Sequence, residues 1–151
     1  MNTRNNLLLF GSLGLAGYLV YRFFIKKSTT EQSQAQAQAA IDAYVNKAIT
    51  SGTATKSSGE WAIIANTIYE DLKYSAVDDK KDDATYQVAR VQNEADLGEL
   101  FKQFGRRQEY FFGLPIGDEK DLPTFVRSNL SAKQIELIND NYRRKGITFR
   151  Y

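Results

Sequence analysis

Hydrophobic and polar positions divide the chain into one long apolar run and a series of shorter amphipathic patterns. The run is Leu7 to Ile25, LLLFGSLGLAGYLVYRFFI, interrupted by a single charge at Arg22. As a helix it would rise roughly 28 Å, close to the hydrocarbon thickness of a bilayer. From Ala39 to Thr50 the residues Ile41, Tyr44, Val45, Ala48 and Ile49 recur at helical spacing and form one apolar stripe. Ser51 to Gly59, SGTATKSSG, is rich in Ser, Thr and Gly and predicts a flexible linker.

Five further helical patterns follow. Ser57 and Glu60 have capping-box spacing ahead of Trp61, Ile64, Ala65, Ile68 and Leu72. Asp78 or Asp79 is placed to cap a helix carrying Ala84, Val88 and Val91. Asn93 opens a third pattern with Leu97, Leu100, Phe101 and Phe104 inward and Gly105 past its end. Asp121 precedes Leu122, Phe125, Val126 and Leu130, with Pro123 tolerated in the first turn. Ser131 and Gln134 form another box before Ile135, Ile138 and Tyr142, and Gly146 sits where the helix would stop. Arg106 to Lys120, RRQEYFFGLPIGDEK, reads as a long loop, and the tail ITFRY as an extended segment against the domain. No strand pattern competes, so the expected fold class is all-α: one transmembrane helix, a stalk helix and a compact five-helix domain. The expected boundaries are 1–27 for the anchor, 28–59 for stalk and linker, and 60–151 for the helical domain with a basic tail.

The anchor residues are Leu7, Leu8, Leu9, Phe10, Leu13, Leu15, Leu19, Val20, Phe23, Phe24 and Ile25. A cleaved signal peptide is the competing reading. It is disfavoured because no small-x-small site precedes a polar start, and the apolar run continues to Ile25. Arg22, Lys26 and Lys27 lie at the C-terminal edge, where aromatic residues give way to basic ones. Only Arg4 precedes the span, so the positive-inside rule puts the C-terminal domain on the cytoplasmic side. Gly11, Gly14 and Gly17 give the span a small-residue surface, compatible with self-association and equally with ordinary span composition.

Composition narrows the chemistry. Of 20 basic residues four precede position 28, while all 18 acidic residues follow position 27. The soluble part is therefore slightly acidic and lacks the field of a nucleic-acid binder. The chain has neither Cys nor His, which removes disulfides, thiolate nucleophiles, structural zinc and the commonest general base. No enzyme, cofactor or metal is expected. The exposed candidates for a protein partner are Arg106, Arg107, Tyr110, Phe111 and Phe112 on the loop, and Arg143, Arg144 and Lys145 at the last helix end. The competing readings are that Phe111 and Phe112 plug the open end of the bundle, and that the basic cluster is a solvated helix end.

Helix order and spacing from Trp61 to Tyr142 resemble one annexin repeat. The pieces that carry the likeness are AIIANTIYEDLKYS, VQNEADLGELFKQFG and DLPTFVRSNLSAKQIELINDNY. Similar single, divergent repeats occur beside membrane segments in small proteins of some bacteria and their phages. Annexin calcium sites use a glycine-rich first loop and a late acidic ligand. Here the loop is LKYSAVDDKK, without glycine, and Asn129 stands at the acidic position, so calcium binding is not carried over. The resemblance and the anchor together imply a structural membrane protein whose domain binds a capsid or other structural protein beside the bilayer, linking an internal virion membrane to its shell. A bacterial inner-membrane adaptor for a cytosolic partner is the alternative. A membrane-bound cell-wall or lipid hydrolase is a third class, for which no carboxylate pair is marked in the sequence.

Overall fold

The computed structural model describes residues 35–36, 38–74 and 80–151. The expected anchor with Arg22, Lys26 and Lys27, the start of the stalk at 28–34, and the expected caps Asp78 and Asp79 lie outside the described residues. Among the described residues no helix is long and apolar enough to cross a membrane. The chain falls into two compact units, Met1–Asp42 and Ala43–Tyr151. Residues 38–42 of the first are helical. The second is mostly helical with one small sheet.

In the second unit α1 covers residues 43–50, followed by α2 (Ser58–Leu72), α3 (Lys81–Ala89), α4 (Glu94–Phe104), β1 (Arg107–Phe111), β2 (Leu114–Lys120), α5 (Leu122–Asn129) and α6 (Ala132–Arg144). Both expected capping boxes form, at Ser57 with Glu60 and at Ser131 with Gln134. Asn93 and Asp121 cap α4 and α5 by accepting from the Asp96 and Thr124 amides. The start of α3 differs from expectation: Lys80 occupies the cap position and gives no side-chain bond. There the acidic first turn, Asp82 and Asp83, meets the positive helix end.

The inward stripes are the ones the spacing predicts. Trp61, Ile68, Leu72, Val88, Leu97, Leu100, Phe125, Ile138 and Tyr142 are all buried. Each such side chain contributes about 1.5–3 kcal/mol when fully removed from water. α2 packs on α4 and α3, and α3 packs on α6. Tyr69, Phe104 and Phe125 meet edge-on where α2, α4 and α5 join.

Two expectations need correction. The expected linker Ser51 to Gly59 is irregular up to Ser57, after which α2 begins, and the irregular part is not free. The buried Asp96 carboxylate accepts from the Thr55 amide at 2.6 Å, the Thr55 hydroxyl at 2.8 Å and the Gln92 amide at 3.0 Å. Asn93 Nδ2 also donates to the Thr53 carbonyl. The second correction is the loop Arg106 to Lys120, which forms an antiparallel hairpin, so the domain is not purely α.

α1 packs on α4 so closely that a Cβ at Gly98 would lie 2.9 Å from Ala48 Cβ. Tyr44 donates to one oxygen of Glu94, and the Thr148 amide and hydroxyl donate to the other at 2.6 and 2.7 Å. One carboxylate thus ties both α1 and the tail to α4. The tail does lie extended on the domain: Phe149 and Tyr151 meet Phe101 edge-on, and Phe149 also meets Tyr44.

Burial drives the Tyr142 and Tyr151 phenols above the ordinary tyrosine value, and their proximity adds to this for Tyr142. The unfolded phenols lose protons from about pH 10, before the folded ones do. Their contribution to stability is therefore complete below that pH and is lost as pH rises above it. Lys145, lowered by burial, gives the opposite slope. The urea midpoint is expected to fall above about pH 10, and less steeply in Tyr151→Phe. Equal slopes in the two proteins would refute the assignment.

Candidate functional site

The hairpin is held rigidly at its base. The Tyr110 amide donates to the Lys73 carbonyl at 2.8 Å, and the Tyr69 hydroxyl donates to the Gln108 carbonyl at 3.0 Å. Arg107 lies over the Tyr69 and Phe104 rings at 4.9 and 5.0 Å from their centroids. It also donates to the Phe104 and Gln103 carbonyls, covering the C-terminal end of α4. Burial draws the Arg107 pKa down and pushes the Tyr69 phenol up. Glu109 is buried and paired with Lys120, and Arg106 donates to the Glu119 carbonyl. A register shift between Arg107 and Glu109 bends the ribbon, after which Glu109 faces Ile116, Tyr110 faces Pro115 and Phe111 faces Leu114.

The tip is apolar. Phe112 is 84% exposed, Leu114 70% and Phe111 46%. The Phe111 and Phe112 rings meet edge-on at 4.5 Å. Phe112 and Gly113 form a two-residue turn with φ of +49° and +80°. Two positive φ values are the mark of a type I′ turn, whose usual sequence is Asn-Gly. A phenylalanine in the left-handed region is strained by its Cβ. The chain therefore places a bulky apolar side chain, at a local cost, where a small polar one would fit better. Strain of this kind concentrates at functional positions.

The expected contact set is divided by the structure. Phe111 and Phe112 project outward rather than plugging the bundle, whereas Arg106 and Arg107 bond main-chain carbonyls at the hairpin base. Tyr110 is half-buried against Tyr74. At the end of α6, Arg143 pairs with Asp140 and Glu136, and Arg144 donates to Asn141. Lys145 donates to the Ala89 and Val91 carbonyls. Leu114 completes the tip and went unmarked in the sequence, although it directly follows the Phe-Gly turn. Asn129 is buried, with Nδ2 donating to the Phe125 carbonyl.

A second feature is a groove of about 650 Å³ between α3 and α6. Its walls include Tyr86, Ala89 and Leu137, and its rim carries Arg90 and Lys133. Among the described residues no group of three His, Cys, Asp or Glu side chains could hold a metal ion. No protein-family model, curated protein or solved structure matches the chain.

Proposed function

We propose that this is a membrane-tethered, non-catalytic docking protein. The apolar run Leu7 to Ile25 fixes it in a bilayer, and the hairpin tip engages a protein assembly alongside. The observation that carries the reading is the strained, exposed Phe112 on a firmly held hairpin. Exposed apolar clusters on rigid supports are typical anchors of protein contacts. Asp118 and Glu119, exposed on β2 with no hydrogen bond or ion pair on their carboxylates among the described residues, favour a protein over an anionic lipid surface, which would repel them. The assembly that suits the expected orientation is the shell around an internal virion membrane. The alternative is a cytosolic partner at a bacterial inner membrane. On this reading the annexin-like helix order is a scaffold without calcium chemistry.

Cross-linking mass spectrometry on the full chain in its native membrane or particle tests this, using wild type and Phe112→Asn. The substitution relieves the left-handed strain and is expected to raise stability by about 1 kcal/mol. Cross-links from Lys102 or Lys120 to the partner are expected to fall at least tenfold. Shell proteins among the linked partners would favour the virion setting, and cytosolic proteins the adaptor. Undiminished cross-linking in the more stable variant would overturn the docking role.

A further inference from the structure

We infer that the hairpin tip seats in the groove between α3 and α6 of a second copy of this chain, so that the copies form the layer through which the chain meets its shell or cytosolic partner. The inference rests on the docking role proposed above and names its occupant. Knob and groove are complementary in shape class. The tip offers Phe112 and Leu114, and the groove offers Tyr86 and Leu137, which are 64% and 49% exposed although both are large and apolar. The groove volume of about 650 Å³ lies within the range of about 300–1,000 Å³ typical of pockets that enclose ligands, enough for two large side chains.

Charge points the same way. Among the described residues Lys133 on the groove rim has no hydrogen-bond or ion-pair partner. The Arg90 guanidinium donates to the neutral Gln87 side chain and lies over the Tyr86 ring. Lys145 adds a third cation, and Arg144 stands near enough to depress its pKa further. The one acid in the lining, Asp82, accepts from Gln134. On the hairpin, Asp118 and Glu119 have no carboxylate partner among the described residues, while Lys120 is paired with Glu109 and Arg106 bonds the Glu119 carbonyl. A tip with acidic flanks therefore meets an apolar groove with a cationic rim. The hairpin is tied to the end of α2 and the groove belongs to α3 and α6. The contact is thus heterologous, and successive copies add head to tail. Tethering in one bilayer raises their effective concentration, so each contact needs only modest affinity.

The absence of cysteine makes the test clean. Full-length Pro115→Cys, beside the tip, and Asn141→Cys, on the groove wall, leave Phe112, Leu114, Tyr86 and Leu137 in place; these chains, one carrying a size tag, are mixed in detergent micelles and oxidised. The expected product is a disulfide between the two different variants, formed at least fivefold more than either self-linked pair. Sedimentation of the full chain in the same micelles supplies the second reading. Lys133→Glu is expected to weaken association about fivefold, and Glu119→Lys added in the same chain to restore it. A mixed disulfide no more abundant than the self-linked ones, or absence of rescue, would overturn the self-docking. If Phe112→Asn nevertheless abolished cross-links to a different protein, the docking role would stand and only the self-docking would fall. If Phe112→Asn changed neither, both readings would fall together.

Discussion

Asp96→Ala is expected to destabilise the domain by about 3–5 kcal/mol, on the scale of hydrogen bonds to charged groups at about 1.5–3 kcal/mol each. The carboxylate is fully buried and organises three donors from two separate segments. Its removal leaves the Thr55 and Gln92 amides without their acceptor and frees the crossing from α1 to α2. Against a total stability of about 5–15 kcal/mol for a domain, this is a large fraction. Urea unfolding followed by circular dichroism measures it. Limited proteolysis is expected to find new cleavage between residues 51 and 57. Asp96→Asn keeps an acceptor oxygen and should cost less. A loss under about 1 kcal/mol for Asp96→Ala, below the range for even one charged hydrogen bond, would show that the crossing is held by other means.

Gly98→Leu is expected to separate α1 from α4. At this position two effects oppose each other. Alanine in a helix interior gains about 1 kcal/mol over glycine, but forcing extra atoms into a packed contact costs about 1–3 kcal/mol. A Cβ here meets Ala48 Cβ at 2.9 Å and the Ile49 backbone nitrogen at 3.3 Å, and backbone cannot yield as a flexible side chain can. Gly98→Ala therefore nets a small loss. Gly98→Leu cannot be accommodated without moving α1, which also breaks the Tyr44 bond to Glu94. Hydrogen exchange is expected to show protection lost at residues 44–50 but kept in the middle of α2 and α4. Ala48→Gly combined with Gly98→Ala should recover the docking. Retained protection in Gly98→Leu would refute the close-approach account.

Helices α2, α4, α5 and α6 were legible because each carried two independent local signals, a cap and an inward stripe. Ser57 with Glu60 and Ser131 with Gln134 fix where α2 and α6 begin, and Ile68 or Ile138 fixes which face turns inward. The hairpin was hidden for physical reasons. Its turn is Phe-Gly rather than Asn-Gly, and from Phe111 to Pro115 both faces are exposed, so no alternation of apolar and polar residues marks it. Its stability comes from Arg107, Tyr69 and the Lys73 carbonyl, partners set by the tertiary fold. The fixed conformation of the crossing from Ser51 to Lys56 was invisible for a similar reason, since Thr55 finds Asp96 only once α4 is in place. Among the contact residues, Phe111 and Phe112 were legible as unusual aromatics. Arg106 and Arg107 beside them, expected as partner contacts, bond main-chain carbonyls instead, and Lys145 at the end of α6 does the same.

The shared Glu94 carboxylate has a kinetic consequence. Helical domains usually fold fast because their contacts are local, but the ties that close this one span long loops. Tyr44 and Glu94 are 50 residues apart, Glu94 and Thr148 are 54 apart, and Thr55 and Asp96 are 41 apart. The closure entropy of each loop must be met before its contact gives anything back. The meeting of the Tyr44 and Thr148 segments on α4 is then expected to be slower than the formation of any helix. Individual helices form in about a microsecond, while closure of the whole belongs to the slower, topology-limited regime.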